Sequence, residues 1–253
     1  MAPVVPLRGL IFLGLLHLCV QGIQGDVNTA VLAKMTQYFY DNVQPKTKMG
    51  IDAQYAIAIS VSKDQCTDEE QFDIQTVFSK QDAKHVKDKL NKGEKCLKLT
   101  EDEKCTSLGN VIATRPDINV KPEEHAEHIL LYPPIGETES PMDRLLAKAG
   151  QKTCVVFYSY NSPCVKTCIK GQNNNILEGL SNWINKNKNG NNAFVFQEIW
   201  QKDSTKKLQE EFLKINERAP LYRCKKTNNV MECQKCVENN IMNAFCLPGK
   251  KNK

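Results

Sequence analysis

Two short groups of residues carry side chains that could do chemistry together. The first is His125 with Glu127 two positions later, and the second is Cys164, preceded by a proline, with Cys168. One imidazole and two thiolates form a ligand set that suits Zn2+, and a separation of four positions places both sulfurs on one face of a helix. Because three protein ligands leave the fourth zinc position to water, the pattern predicts a catalytic rather than a structural metal site.

Glu127 is expected to act as a general acid and base beside that water, and not as a ligand. It lies about 200° round a helix from His125, so the two side chains are not expected to point in the same direction. Zinc lowers the pKa of its bound water to about 7, which supplies hydroxide at neutral pH. This combination fits the hydrolytic removal of an amino group from a nucleobase.

Two alternative interpretations of these residues stay open. His128, three residues after His125, is a second possible metal ligand. Alternatively, Cys164 and Cys168 form disulfides and His125 is an ordinary surface residue.

The flanking sequence predicts that each group lies at the start of a helix. Pro122, followed by two glutamates, is typical of a first helical turn, and that helix is expected to run through Leu131. Ser162 and Pro163 open the second helix, directly after an apolar run at 153–158 that predicts a buried central strand. Both positive helix ends could then meet at one point and favour the thiolate form of the cysteines.

Strands and helices alternate along the rest of the chain, which has 253 residues, 41% of them hydrophobic. Apolar periodicity predicts strands over 54–62, 108–114 and 193–200, and helices over 27–42, 83–90, 141–149, 176–184 and 204–220. This alternation predicts an α/β/α architecture of three layers. We expect residues 26–220 to form one domain with an insertion at about 63–107, and residues 221–253 to form a basic, cysteine-rich tail.

The N-terminal segment has the pattern of a signal peptide. Residues 7–20 contain one arginine followed by an apolar run, which is too short to span a membrane and is followed by small residues. We therefore expect residues 1–25 to be removed and the mature protein to be secreted and extracellular, with no membrane anchor.

Cysteines are frequent, and in an oxidising compartment disulfides are their usual state. Ten of the eleven cysteines remain once Cys19 is removed with the signal peptide, enough for five disulfides or for four disulfides and two metal-bound thiolates. Cys154 is expected to pair with a cysteine of the insertion, and two disulfides are expected in the tail. The cysteines concerned are Cys66, Cys96 and Cys105 in the insertion, and Cys224, Cys233, Cys236 and Cys246 in the tail.

Charge is distributed unevenly along the mature chain. Residues 26–150 carry 16 basic and 21 acidic side chains, whereas residues 151–253 carry 17 basic and 8 acidic ones. The C-terminal half therefore has a charge balance suited to a polyanion. A lysine-rich surface that only aids solubility is the alternative.

The run F-Y-S-Y-N-S-P-C that ends at Cys164, together with His125 and Glu127, resembles the zinc-dependent deaminase superfamily and most of all its AID/APOBEC branch. With a signal peptide in front, the chain is similar to secreted, fish-type deaminases of that branch. The resemblance covers roughly residues 125–219. It implies a mixed sheet of about five strands flanked by helices, Zn2+ held by His125, Cys164 and Cys168, and Glu127 as the proton shuttle between water and the ring nitrogen.

Three features depart from the family pattern. Three residues, where two is the commoner number, separate the cysteines, and 35 residues lie between Glu127 and Pro163, which predicts an inserted segment at 133–150. Tyr160, followed by Asn161, stands where relatives have tryptophan directly before the Ser-Pro-Cys triplet. These differences leave the zinc ligands unchanged and bear on the shape of the base pocket.

Substrate contacts are predicted on both sides of the cysteine motif. The resemblance places Trp200 and Lys202 on the loop that grips the nucleotide before the target base, and an exposed tryptophan there could stack on a base. The alternative is a tryptophan that covers the end of the sheet. Tyr160 is a candidate for lining the base pocket, whereas Tyr158 is expected to pack in the core.

Together these features predict a secreted zinc-dependent deaminase that acts on cytosine in single-stranded DNA or RNA. A deaminase of free nucleosides is one alternative. Others are a non-catalytic protein that binds nucleic acid or an anionic surface with a deaminase fold, and a disulfide-stapled structural or signalling protein.

Overall fold

The computed structural model describes residues 26–97, 105–150 and 153–249, so the predicted signal peptide lies outside the described residues. The helices of this part are α1 (Thr29–Asn42), α2 (Asp64–Thr67), α3 (Ile74–Val77), α4 (Lys80–Lys92), α5 (Ala126–Leu131), α6 (Pro141–Ala149), α7 (Leu177–Lys186) and α8 (Gln209–Asn216). The strands are β1 (Ala56–Val61), β2 (Val111–Thr114), β3 (Cys154–Asn161), β4 (Asn191–Glu198), β5 (Leu221–Thr227), β6 (Val230–Lys235), β7 (Val237–Glu238) and β8 (Ile241–Met242). A π-helical turn spans Val165–Ile169, and 3-10 turns span Gln201–Asp203 and Ala244–Cys246.

A mixed sheet of six strands forms the middle layer of the described chain, in the order β2-β1-β3-β4-β5-β6. Strands β3, β4 and β5 are parallel to one another, whereas β1 is antiparallel to both β2 and β3, and β6 is antiparallel to β5. The predicted fold class is confirmed. The sheet has six strands where about five were expected, because the segment predicted as a tail begins with β5 and β6.

Two apolar cores lie on the two faces of this sheet. Successive residues of a strand point to opposite faces, and in β3 Val156 and Tyr158 enter one core while Val155 and Phe157 enter the other. Helices α1 and α4 cover the first face, and α5, α6, α7 and α8 cover the second. The first six residues of β3 are buried, as expected for a central strand.

The insertion protects an edge of the sheet. Cys96 exchanges two backbone hydrogen bonds with Ala113 of β2, at 2.7 and 2.8 Å, and a disulfide joins Cys96 to Cys105. A second disulfide, Cys66–Cys154, ties the insertion to β3. The insertion therefore pairs with the outer edge of β2 through one bridge residue, Cys96.

The cysteine predictions are confirmed. Cys154 pairs with an insertion cysteine, and the four cysteines at the C-terminal end form the disulfides Cys224–Cys233 and Cys236–Cys246. Among the described cysteines, Cys164 and Cys168 are the two that form no disulfide. This is the arrangement of four disulfides and two free thiols.

Candidate active site

The antiparallel pairing of β1 with β3 decides where the functional residues meet. Ala56 lies opposite Ser159, so the chain just before β1 runs beside the end of β3. The same end of the sheet carries the start of α5, the π-helical turn and the chain that follows β4. Residues far apart in sequence are thereby collected at one end of the sheet.

His125, Glu127 and Cys168 form a compact group of metal-ligand type. The ligand atoms of the three side chains all lie within 4.8 Å of one another, and Nδ1 of His125 is 3.1 Å from Sγ of Cys168. The expectation that His125 and Glu127 point in different directions is wrong. His125 is the N-cap of α5, with extended backbone (φ −76°, ψ 147°), so the helical angle does not apply to it and both side chains reach the same point.

Asn174 fixes the backbone at this helix start. Its Oδ1 accepts a hydrogen bond of 2.8 Å from the backbone N–H of His125, and its Nδ2 donates one of 2.9 Å to the carbonyl of Glu123. The side chain is buried, so both bonds are shielded from water. The sequence analysis missed Asn174, for which the one available signal was its place in a run of three asparagines.

Gln54 and Ser159 hold the carboxylate of Glu127, which is 2% exposed. Oε1 of Glu127 accepts a hydrogen bond of 2.5 Å from the hydroxyl of Ser159 and one of 3.0 Å from Nε2 of Gln54. Gln54 is itself fixed, because its Oε1 accepts a hydrogen bond of 2.8 Å from the backbone N–H of Asn161. No described residue donates to Oε2 of Glu127. The sequence analysis missed both Gln54 and Ser159.

Cys168 lies on the π-helical turn and Cys164 is its N-cap, where an α-helix was predicted. The backbone N–H of Lys170 bonds to the carbonyl of Val165, five residues earlier, at 3.1 Å. The backbone N–H of Cys168 bonds to the carbonyl of Cys164 at 2.8 Å, four residues earlier, so the two cysteines themselves are spaced as in an α turn.

The two thiols differ in their surroundings. Cys168 is buried, and burial raises the pKa of its thiol, with the nearby carboxylate of Glu127 raising it further. Cys164 is half-exposed and shares a cavity wall with His125 and Glu127. A divalent cation beside these sulfurs would favour their thiolate forms.

Asp203 anchors the start of the cysteine turn. Its buried carboxylate accepts a hydrogen bond of 2.8 Å from the backbone N–H of Val165 and pairs with Lys206 at 2.5 Å. The loop after β4 therefore holds the loop after β3 in place. Asp203 was not among the residues predicted from sequence.

A small cavity of about 140 Å³ opens above the group. A pocket for a whole drug-sized ligand has about 300–1,000 Å³, so this cavity has room for no more than one small ring. Its walls are Gln54, Pro116, Glu123, His125, Glu127, Asn161, Ser162, Cys164 and Trp200.

Of the residues predicted to contact substrate, one lines the cavity and two do not. Trp200 lines the cavity, and Nζ of Lys202 lies 5.9 Å from the centre of its ring, outside the cavity wall. Tyr160 does not line the cavity, because it follows Tyr158 by two positions and packs on the opposite face of the sheet. Tyr158 is fully buried, as expected.

His128, the alternative metal ligand, is engaged elsewhere. Its Nδ1 lies 2.8 Å from Oε1 of Glu124, and its ring stacks on Tyr132 with 4.3 Å between the ring centres. It is not part of the group formed by His125, Glu127 and Cys168.

A mixed sheet between helical layers, with a histidine, a glutamate and two free cysteines below a small cavity, is the arrangement of a deaminase-like protein. The family model described as Secreted Novel AID/APOBEC-like Deaminase 1 matches residues 29–250, and the chain belongs to this family. No curated protein and no solved structure matches the chain significantly.

The family is a secreted one, and four disulfides fit an extracellular protein. In the described part of the chain, no helix combines the length and the apolar character needed to cross a membrane.

Proposed function

We propose that this chain is a secreted zinc-dependent deaminase that hydrolyses the amino group of cytosine in single-stranded polynucleotide. The observation that carries the proposal is the buried carboxylate of Glu127, placed within 4.8 Å of a ring nitrogen of His125 and the sulfur of Cys168. Membership of a deaminase family supports the same chemistry.

The chemistry of the free donors suits a zinc ion, although the group of ligand atoms within 4.8 Å of one another contains His125, Glu127 and Cys168 and leaves Cys164 outside. His125, Cys164 and Cys168 would hold it, and both cysteines are unpaired although the eight other described cysteines all form disulfides. Imidazole with two thiolates is a zinc ligand set with one position left open. When bound, Zn2+ supplies the positive charge that makes water reactive at neutral pH.

Glu127 would carry the protons of the reaction. Because Oε1 already accepts two hydrogen bonds, we assign the transfers to Oε2. This oxygen takes a proton from the attacking water and delivers it to the ring nitrogen N3, while the water oxygen bonds to C4. The proton of the new C4 hydroxyl then passes through the same carboxylate oxygen to the amino group, the C4–N bond breaks and C4=O forms, so cytosine plus water gives uracil plus ammonia.

The cavity would select the base by size and by stacking. One ring fits within about 140 Å³, and Trp200 forms part of the wall. Since every base offers a π-face to an aromatic side chain, Trp200 can stack on the strand beside the reacting ring.

Replacement of Glu127 by Gln tests the assignment. The general acid and base contribute about 10²- to 10⁴-fold to such reactions, so uracil formation should fall by at least that factor while zinc content stays unchanged. Glu210→Gln, at an exposed position of α8, is the control and should keep full activity. Retained activity in Glu127→Gln would exclude the role given to this residue.

A further inference from the structure

The small cavity opens into a larger groove of about 630 Å³. The two share part of their walls, namely Gln54, Pro116, Asn161 and Trp200. A strand with one base in the cavity would therefore place its adjoining sugars and phosphates in the groove.

Three segments form the walls of this groove: residues 46–54 before β1, residues 91–95 at the end of α4, and residues 115–119 after β2. The second segment belongs to the insertion. It reaches the groove because Cys96 pairs with Ala113 of β2, which brings the preceding residues beside the chain that leaves β2. The insertion therefore supplies one wall.

Positive side chains outnumber negative ones in the groove. Lys46 is paired with Asp52 at 2.6 Å, and Lys95 is paired with Asp117 at 2.8 Å. Three further cations line the groove and form no ion pair with a described residue, namely Lys48, Lys92 and Arg115. Unneutralised cations of this kind are suited to phosphodiester groups.

Apolar side chains stand beside these cations. Ile118 lines the groove and is 69% exposed, whereas Met49 and Ile51, 81% and 59% exposed, belong to the first wall segment without lining the groove. The bases of a duplex are stacked inside and cannot reach such side chains, whereas the bases of an unpaired strand can. Cations next to exposed apolar groups therefore favour a single strand.

We propose that the insertion and the two loops facing it form the groove that binds the sugar-phosphate backbone of a single-stranded polynucleotide. The inference rests on the proposed function for the position of the target base. It places the backbone contacts in residues 26–150, the acidic half of the chain, and not in the basic C-terminal half that the overall charge indicated. The positions of individual cations around the groove, and not the net charge of each half of the chain, decide where the backbone is expected to bind.

The test compares two triple variants of the mature protein, each also carrying Glu127→Gln to prevent turnover. The groove variant is Lys48→Gln, Lys92→Gln and Arg115→Gln. The control variant is Lys63→Gln, Lys80→Gln and Lys188→Gln, three exposed lysines outside the groove lining. Binding of fluorescein-labelled oligothymidylate and oligouridylate is measured by anisotropy over a range of salt concentrations.

Loss of three phosphate contacts should lower the slope of log K against log salt by about 2, since single strands contribute about 0.7 per contact. Affinity at low salt should fall at least tenfold in the groove variant and stay unchanged in the control. A loss with either oligonucleotide supports the groove. Equal behaviour of the two variants would overturn it, and so would binding of anionic vesicles when neither oligonucleotide binds.

Different results would contradict the groove proposal and the proposed reaction. If the wild-type protein binds oligonucleotides through the groove but converts no cytosine substrate, the groove stands and the proposed function falls. If it deaminates free cytidine but does not bind strands, the reaction stands and the groove falls.

Discussion

The hydroxyl oxygen of Ser159 lies 2.5 Å from Oε1 of Glu127, a length typical of a hydrogen bond to an ionised carboxylate. Ser159 has a single proton to donate, and the carbonyl of Asn161, 2.9 Å away, is its other acceptor. The nitrogen of Gln54 donates to the same hydroxyl at 2.9 Å and to the carboxylate at 3.0 Å. These contacts fix one carboxylate oxygen and leave the other without a donor among the described residues.

Ser159→Ala should lower kcat and leave KM nearly unchanged. A hydrogen bond to a charged group contributes about 1.5–3 kcal/mol, so we expect a loss of about tenfold or more in kcat through misplacement of Glu127. Ser159→Thr keeps the hydroxyl and should restore most of the activity, which a purely structural role would not require. Ser181→Ala on α7 serves as the control, and steady-state kinetics on one oligonucleotide provides the measurement. An unchanged kcat in Ser159→Ala would contradict the positioning role.

The free cysteines make a prediction about metal removal. After denaturation without reductant, thiol titration should find two reactive thiols per chain, from Cys164 and Cys168. In the native zinc-loaded protein both should be protected, because metal-bound thiolates react slowly. A chelator should expose them and abolish activity together. A count of zero thiols in the denatured protein would show five disulfides and remove the metal site.

The residues proposed to hold the metal could be identified from sequence because their chemistry is local. A histidine or a cysteine at a helix start, and two cysteines four positions apart, are patterns within a few residues. The residues that hold them were missed because their roles arise from pairing over long distances. Gln54 and Asn161 are 107 positions apart, and only the antiparallel register of β1 and β3 brings them together.

The helix through the cysteines shows a second limit of sequence patterns. The spacing of Cys164 and Cys168 fits an α turn, and an α-type bond does join them, so this spacing gave no signal for the π-type bond between Val165 and Lys170. Strands β5 and β6 were missed for a different reason. Residues 221–253 contain four cysteines, and the segment was therefore predicted to be a disulfide-linked tail and not part of the sheet.

Asn174→Ala should weaken zinc binding without touching a ligand. It removes the partner of the backbone N–H of His125 and of the carbonyl of Glu123 at the start of α5. Residues that support a metal ligand change affinity by about 10- to 100-fold when replaced. Asn173→Ala, at an exposed neighbouring position, is the matched control. Competition with a chromogenic chelator measures the zinc affinity, and equal affinities in the two variants would exclude this role.

A variant of Trp200 distinguishes two roles for this side chain: stacking on a base, or covering the end of the sheet. It is half-buried and lines both the cavity and the groove, so its ring is open to a strand on one side. Stacking of a base on an aromatic ring contributes about 1–3 kcal/mol, and Trp200→Ala should therefore raise KM for an oligonucleotide by about 5- to 150-fold. Trp200→Phe keeps an aromatic face and should lose less. If Trp200 only covers the sheet, Trp200→Ala will instead lower the free energy of unfolding in urea and leave KM unchanged. Measuring both quantities on the same preparations distinguishes the two roles, because stacking acts only when the strand is bound.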